Sequence, residues 1–176
     1  VDSSPVDSSP VDSSPVSSGA ESIKNVFILS SNPLTSEHRK RDKITGTIGD
    51  DLFLNGLGAD RFKGRSGADV FLFDRKEKYG KKHAEKIVDF SLKNDLIVFG
   101  NGRFTGMSDD PQFISVKRKS NFKSAVKSDV EFVYWSSKGA LYFNSNGEES
   151  GFGNGGLFAI LSGAPDLSVS SLGFTD

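Results

Sequence analysis

The sequence predicts an all-β chain: a parallel β-roll, a solenoid of nonapeptide repeats, followed by an antiparallel β cap. Three observations carry that expectation. Residues 46–72 divide into three consecutive nine-residue blocks, GTIGDDLFL, NGLGADRFK and GRSGADVFL, each with Gly, any residue and Asp at its fourth, fifth and sixth positions. The eighth position of every block is aromatic (Phe53, Phe62, Phe71), and Ile44 stands nine residues before the first of them. After the blocks, short β-rich runs alternate with turn residues.

One inward side chain every nine residues fits neither an amphipathic helix nor an ordinary strand, whose periods are about 3.6 and 2. It fits a solenoid in which positions seven to nine form a very short strand and positions one to six a tight loop. Two blocks then make one coil of eighteen residues, with strands stacking in parallel. Glycines suit the loop because several of its positions need positive φ. Asn55, standing at a first-position Gly, tolerates the left-handed region, whereas Thr47 and Arg65 depart from the pattern at second positions.

Stacking places residues eighteen apart above one another at the ~4.8 Å spacing of neighbouring strands. Asp51 and Asp69 form such a pair. Two carboxylates that close repel by roughly 3 to 4 kcal/mol at an effective dielectric near 20, so a cation is required between them. Oxygen ligands at ~2.3 to 2.6 Å on either side of Ca²⁺ span about that gap, and loop carbonyls complete the shell. The candidate carbonyls are those of Gly46, Ile48, Gly64 and Ser66. Asp60 falls on the opposite edge, with Asp42 below it and Glu85 or Asp89 above, although the insertion at 74–84 interrupts the register.

Along the rest of the chain, residues 1–20 read as a tether: VDSSP occurs three times, and proline at every fifth position favours an extended backbone with nothing to pack. A tether, and a start that is not Met, suggest the C-terminal piece of a longer protein with an upstream domain. The run VFIL at 26–29 is strand-like. Residues 86–90 and 96–99 read as strands around a turn, without helical period. Residues 130–135 and 140–143 flank a hairpin loop, SSKG, and a second connection at 144–156 leads to LFAIL at 157–161. The expected units are 1–20, 21–100 for the roll with its flanking strands, and 101–176 for the cap.

Composition limits the function. The chain has 176 residues, 35% hydrophobic content and 15 Phe, enough for a core. A net charge of −1 and a pI near 6.2 argue against nucleic acid as the main partner. The basic runs at 38–41 and 75–83 are interspersed with acids and read as solvated loops. The chain has no Cys and so no disulfide framework, which leaves a metal as the available staple. No apolar run approaches the ~20 residues of a membrane helix.

The blocks GTIGDDLFL, NGLGADRFK and GRSGADVFL resemble the glycine-rich nonapeptides of the repeats-in-toxin (RTX), or haemolysin-type calcium-binding, family. That resemblance implies a parallel β-roll with Ca²⁺ between successive loops. IVDF at 87–90 followed by DLI at 95–97 is similar to the segment that closes the roll in serralysin-type C-terminal domains. There an Asp two residues before the Ile often helps bind calcium; here that position is Glu85. GLFAILSGAP at 156–165, with Leu172 and Phe174 beyond, resembles the uncleaved export signals of bacterial proteins that use type I secretion machinery.

Other motifs carry little. GFGNGG at 151–156 matches G-x-G-x-x-G but joins two predicted strands rather than opening a helix. NSNGE at 144–148 lacks the closing Glu of an EF-hand loop. No metalloprotease, nucleophile-elbow or P-loop pattern occurs, so no catalysis is expected within this chain. The expectation is a calcium-binding module that folds on Ca²⁺ outside a bacterial cell, in the Gram-negative manner of export, and carries the export signal of a larger secreted protein. The alternative is a module that binds an extracellular surface or cell-surface polysaccharide through the basic loops and Tyr134, Trp135 and Tyr142.

Overall fold

A computed structural model describes residues 20–25, 33–35 and 41–175. The VDSSP repeat, the 26–29 run and most of the 38–41 basic run lie outside the described residues. Two short strands, β1 (Glu21–Ser22) and β2 (Lys24–Asn25), precede the repeats. Within the repeats, strands β4 (Leu52–Leu54), β5 (Arg61–Lys63) and β6 (Val70–Phe73) begin at position seven of their blocks, and β3 (Lys43–Thr45) lies one block earlier. β3 pairs with β5 in parallel, Lys43 opposite Arg61, and β4 with β6, Leu52 opposite Val70. Successive strands therefore alternate between two sheets, and residues eighteen apart are neighbours.

The eighth-position rings explain why the coils stay in register. Phe53, Phe62 and Phe71 are at most 1% exposed. Phe53 stacks on Phe71 with centroids 4.9 Å apart and planes 13° from parallel, while Phe62 reaches Phe53 from the facing sheet at 5.5 Å. A slip of one residue would turn each ring out to water, at a cost of about 2 to 3 kcal/mol per ring.

β7 (Glu85–Ile87) continues the sheet of β3 and β5, with Arg61 opposite Lys86. β8 (Leu96–Gly100) continues that of β4 and β6, with Val70 opposite Leu96. The insertion at 74–84 thus lengthens one coil without changing which side chains face inward: Ile87 and Ile97 are fully buried, as Phe62 and Phe71 are.

The remainder departs from a pure antiparallel cap. Strands β9 (Gln112–Val116), β10 (Phe132–Trp135), β11 (Ala140–Phe143), β12 (Gly156–Leu161) and β13 (Leu172–Thr175) follow, with one helix, α1 (Lys119–Ala125). The antiparallel meander holds for β10, β11 and β12, and the 136–139 loop closes on Gly139 at φ 61°. However, β9 runs parallel to β10, β12 parallel to β7, and β13 parallel to both β2 and β8. The sheets are ordered β1-β9-β10-β11-β12-β7-β5-β3 and β2-β13-β8-β6-β4, so both run past position 100 without a break.

α1 was not legible because seven residues hold less than two turns of pattern. Its Phe122 and Ala125, with Val126 just beyond, pack on Val116, Val130 and Val133. The aromatic residues proposed as an exposed surface are placed otherwise. Tyr134 is fully buried and its hydroxyl donates to Pro165 O at 2.8 Å. Trp135 is half-buried, stacked 4.6 Å from Phe122, with Nε1–H donating to Lys117 O. Tyr142 is half-buried and stacks on Phe152 at 5.2 Å.

Two loop glycines are fixed by close approach. A Cβ on Gly64 would fall on Asp69 Oδ2 of its own block, and one on Gly67, at φ 119°, would run into the Gly49 carbonyl of the coil below. Gly67→Ala is therefore expected to cost about 3 kcal/mol or more, because left-handed strain and a backbone clash add. The shift of the urea midpoint, with unchanged slope, measures it; a shift worth under about 1 kcal/mol would contradict the stacking.

Candidate functional site

Two columns of acidic side chains run along the stack, each at the start of a strand, and Asp60, Glu85, Asp69 and Asp95 are each held by a backbone N–H of the coil beneath. On one edge the Asp42 N–H donates to Asp60 Oδ1 at 3.0 Å, and the Asp60 N–H donates to Glu85 Oε2 at 2.6 Å. On the other the Asp51 N–H donates to Asp69 Oδ1 at 3.0 Å, and the Asp69 N–H to Asp95 Oδ1 at 3.1 Å. The eighteen-residue stacking read from the sequence thus brings Asp51 to Asp69 and Asp42 to Asp60. Above Asp60 the structure selects Glu85. Asp89 serves elsewhere: its carboxylate accepts from the N–H groups of Gly64 and Arg65 at 2.9 and 3.0 Å, clamping the start of the third block, where Arg65 takes φ 74°.

Several acidic residues at these edges were missed. Asp95 completes the second column, and its signal was present, since DLIV repeats the Asp-apolar-apolar order of DVFL; only its offset of 26 residues hides it. Asp50 accepts from the Ala68 N–H at 2.7 Å and Glu77 from the Gly58 N–H at 3.2 Å. Neither repeats within the nine-residue period.

The electrostatics show carboxylates crowded out of water. Burial pushes the Glu85 carboxyl up to about 8, against the Asp60 N–H bond that lowers it, with the charges of Asp60 and Glu77 raising it further and Arg103 lowering it. Burial likewise raises Asp69 to about 6, opposed by the Asp51 N–H and reinforced by Asp95, Asp51 and Asp89. Asp60 and Asp95 also lie above their ordinary value, chiefly through burial.

The two edges differ in unused oxygens. Asp60 Oδ2 and Glu85 Oε1 are buried and accept no hydrogen bond among the described residues, an arrangement disfavoured unless something supplies positive charge. Asp51 is half-buried, and its Oδ2 is occupied by the N–H and hydroxyl of Thr47 at 2.6 and 3.1 Å. Gly46 and Gly64 lie against the carboxylates of their own blocks, and a Cβ on Gly46 would stand 3.0 Å from the Gly64 carbonyl oxygen. Ile48, 83% exposed, and Ser66 occupy the outer loops.

Among the described residues no group of three or more His, Cys, Asp or Glu gathers as a metal cluster. An ion here would take paired carboxylates and backbone carbonyls, an all-oxygen donor set that suits Ca²⁺ and not Zn²⁺. The unused Asp60 and Glu85 oxygens fit that requirement. No helix among the described residues is long and apolar enough to cross a membrane.

These elements define a mostly β chain with parallel sheets and two columns of stacked carboxylates. No protein family matches its sequence, and no curated protein does. Among solved structures it is similar to the solution structure of the AlgE6R3 subunit from the Azotobacter vinelandii mannuronan C5-epimerase, at 19% identity and a TM-score of 0.37, over 88% of this chain and 83% of that one.

Proposed function

We propose that the chain is a calcium-binding, non-catalytic module of the RTX β-roll type, which folds on Ca²⁺ outside the cell and is exported with a C-terminal type I signal. The observation that carries the calcium reading is the pair of buried, unused oxygens on Asp60 and Glu85 within stacked acidic columns. Ca²⁺ bound along each edge, by Asp60 with Glu85 and by Asp51 with Asp69, would neutralise the columns, with carbonyls of loop residues such as Gly46, Ile48, Gly64 and Ser66 completing the shell. At low calcium the columns repel and the fold is weak; at millimolar calcium each site of Kd ~10⁻⁴ M adds about 1.4 kcal/mol. The export signal rests on the likeness of residues 156–174 to type I tails.

Circular dichroism in chelator and at millimolar Ca²⁺ tests the reading. β signal should rise with Ca²⁺ and far less with Mg²⁺, which dehydrates reluctantly and demands a tighter octahedral shell. Spectra and melting curves unchanged between chelator and calcium would remove it.

A further inference from the structure

The 74–84 insertion also forms one wall of a cavity of about 640 Å³, whose lining includes three basic residues, Lys76, Lys78 and Arg103, one acid, Glu77, and the rings of Tyr79 and Phe143. Arg103 is 3% exposed, and its Nε, Nη1 and Nη2 have no hydrogen-bond partner among the described residues. A guanidinium carries five N–H donors, and burying all of them unused is strongly unfavourable. Its present neighbours are rings: the guanidinium carbon lies 5.6 Å from the Tyr79 centroid and 5.8 Å from that of Phe73. Cation–π contact lessens the cost without satisfying a single N–H.

The acids nearby do not close on it. Glu77 accepts from the N–H groups of Gly58 and Lys78 and lies 3.0 Å from His83 Nδ1. Glu85 Oε2 is held by the Asp60 N–H, and its Oε1 remains unpaired. The backbone around Arg103 is well anchored: its N–H donates to Gly100 O at 3.1 Å, and its carbonyl accepts from the Tyr79 hydroxyl at 3.2 Å. The guanidinium therefore stands on a fixed support beside an open cavity.

We propose that this cavity is a binding site for a ring-borne carboxylate, with Arg103 as its bidentate anchor. The fork of a guanidinium matches the two oxygens of a carboxylate better than any other side chain does. Phe143 gives an apolar wall for a ring, and the exposed Lys76 and Lys78 add positive charge at the mouth, outweighing Glu77. Because rings cover the guanidinium nitrogens, the carboxylate reaches them by moving the Tyr79 ring aside. The site adjoins the Asp60–Glu85 edge, since Arg103 faces the charge of Glu85, but its readout at Arg103 and Tyr79 is distinct from calcium binding.

Titration of the calcium-loaded chain, followed by NMR of the Arg103 Nε–H and the Tyr79 ring, tests the proposal. The probes are cyclohexanecarboxylate, glucuronate, cyclohexanemethanol and inorganic phosphate. Both carboxylates should give saturable shifts at these two residues below about 10 mM, and the neutral alcohol none. The tighter of the two distinguishes an apolar ring from a sugar ring as the natural body. Arg103→Lys, which keeps the charge and loses the fork, should weaken binding about tenfold or more. If that variant does not fold, Lys76→Ala with Lys78→Ala, on exposed positions, should weaken it about threefold or more. Absence of saturable shifts in the wild-type chain would overturn the proposal and leave Arg103 as a counter-charge to Glu77 and Glu85. Phosphate binding as tight as either carboxylate would overturn the carboxylate assignment.

Discussion

Removal of residues 157–176 is expected to abolish cooperative folding, even at saturating calcium. β12 is an interior strand, hydrogen-bonded to β11 on one side and β7 on the other, and β13 lies between β2 and β8. The deleted segment carries Leu157, Phe158, Ala159, Leu161, Leu167, Leu172 and Phe174, all buried. At about 1.5 to 3 kcal/mol for each large side chain, their loss matches or exceeds the 5 to 15 kcal/mol by which domains are usually stable. Scanning calorimetry or a urea titration of the truncated chain should show no cooperative transition; a sharp one would mean that the repeats stand alone. An export assay on this truncation would confound fold and address. The exposed tail residues Asp166, Ser168 and Ser170 are the better positions at which to test the proposed export signal without unfolding the chain.

The second large effect is an unusual pH profile. In chelator the folded chain should be more stable near pH 5 than near pH 8. Glu85 is lifted to about 8 and Asp69 to about 6 in the folded chain, while the unfolded chain releases both protons near their ordinary values. Between those limits the folded state holds protons that the unfolded state has lost. Stability is therefore fully present at acid pH and falls as pH rises, by up to ~1.4 kcal/mol per unit for each group. The charges facing Glu85 set its part: Asp60 and Glu77 disfavour its ionisation, and Arg103 favours it without reversing the effect of burial. Calcium should invert the trend, since metal takes the ionised form and competes with protons. Melting temperatures from pH 5 to 8, with and without Ca²⁺, measure both. A chelator profile that is flat or rises with pH would contradict the buried acidic columns.

Local spacing conveyed the repeats well. The triplet Phe53, Phe62 and Phe71 fixed strand positions, and a count of eighteen fixed Asp51 under Asp69 and Asp42 under Asp60, because a solenoid converts sequence distance directly into height. Where the chain leaves the period, that conversion fails. Glu85 and Asp89 could not be told apart across the 74–84 insertion, and Asp95 was not assigned to a column at all. The cap was legible as strands but not as pairings: nothing in GLFAIL marks β7 as its parallel partner, since pairing direction is settled by connections far along the chain. Arg103 gave no signal, because a lone Arg in a turn becomes informative only when its donors are seen to be unmet.

The placement of β13 between β2 and β8 also governs time. Gly173 lies beside Lys24, so the contact closes a loop of about 150 residues, and Leu172 lies beside Ile97. Such non-local parallel pairing gives a high contact order, which slows folding towards the millisecond-to-second range. During synthesis from the N-terminus, the second sheet therefore lacks an interior strand until residues 172–175 emerge. The nascent chain is kept from its final state by its own topology, whatever the calcium level, for as long as β13 has yet to be made.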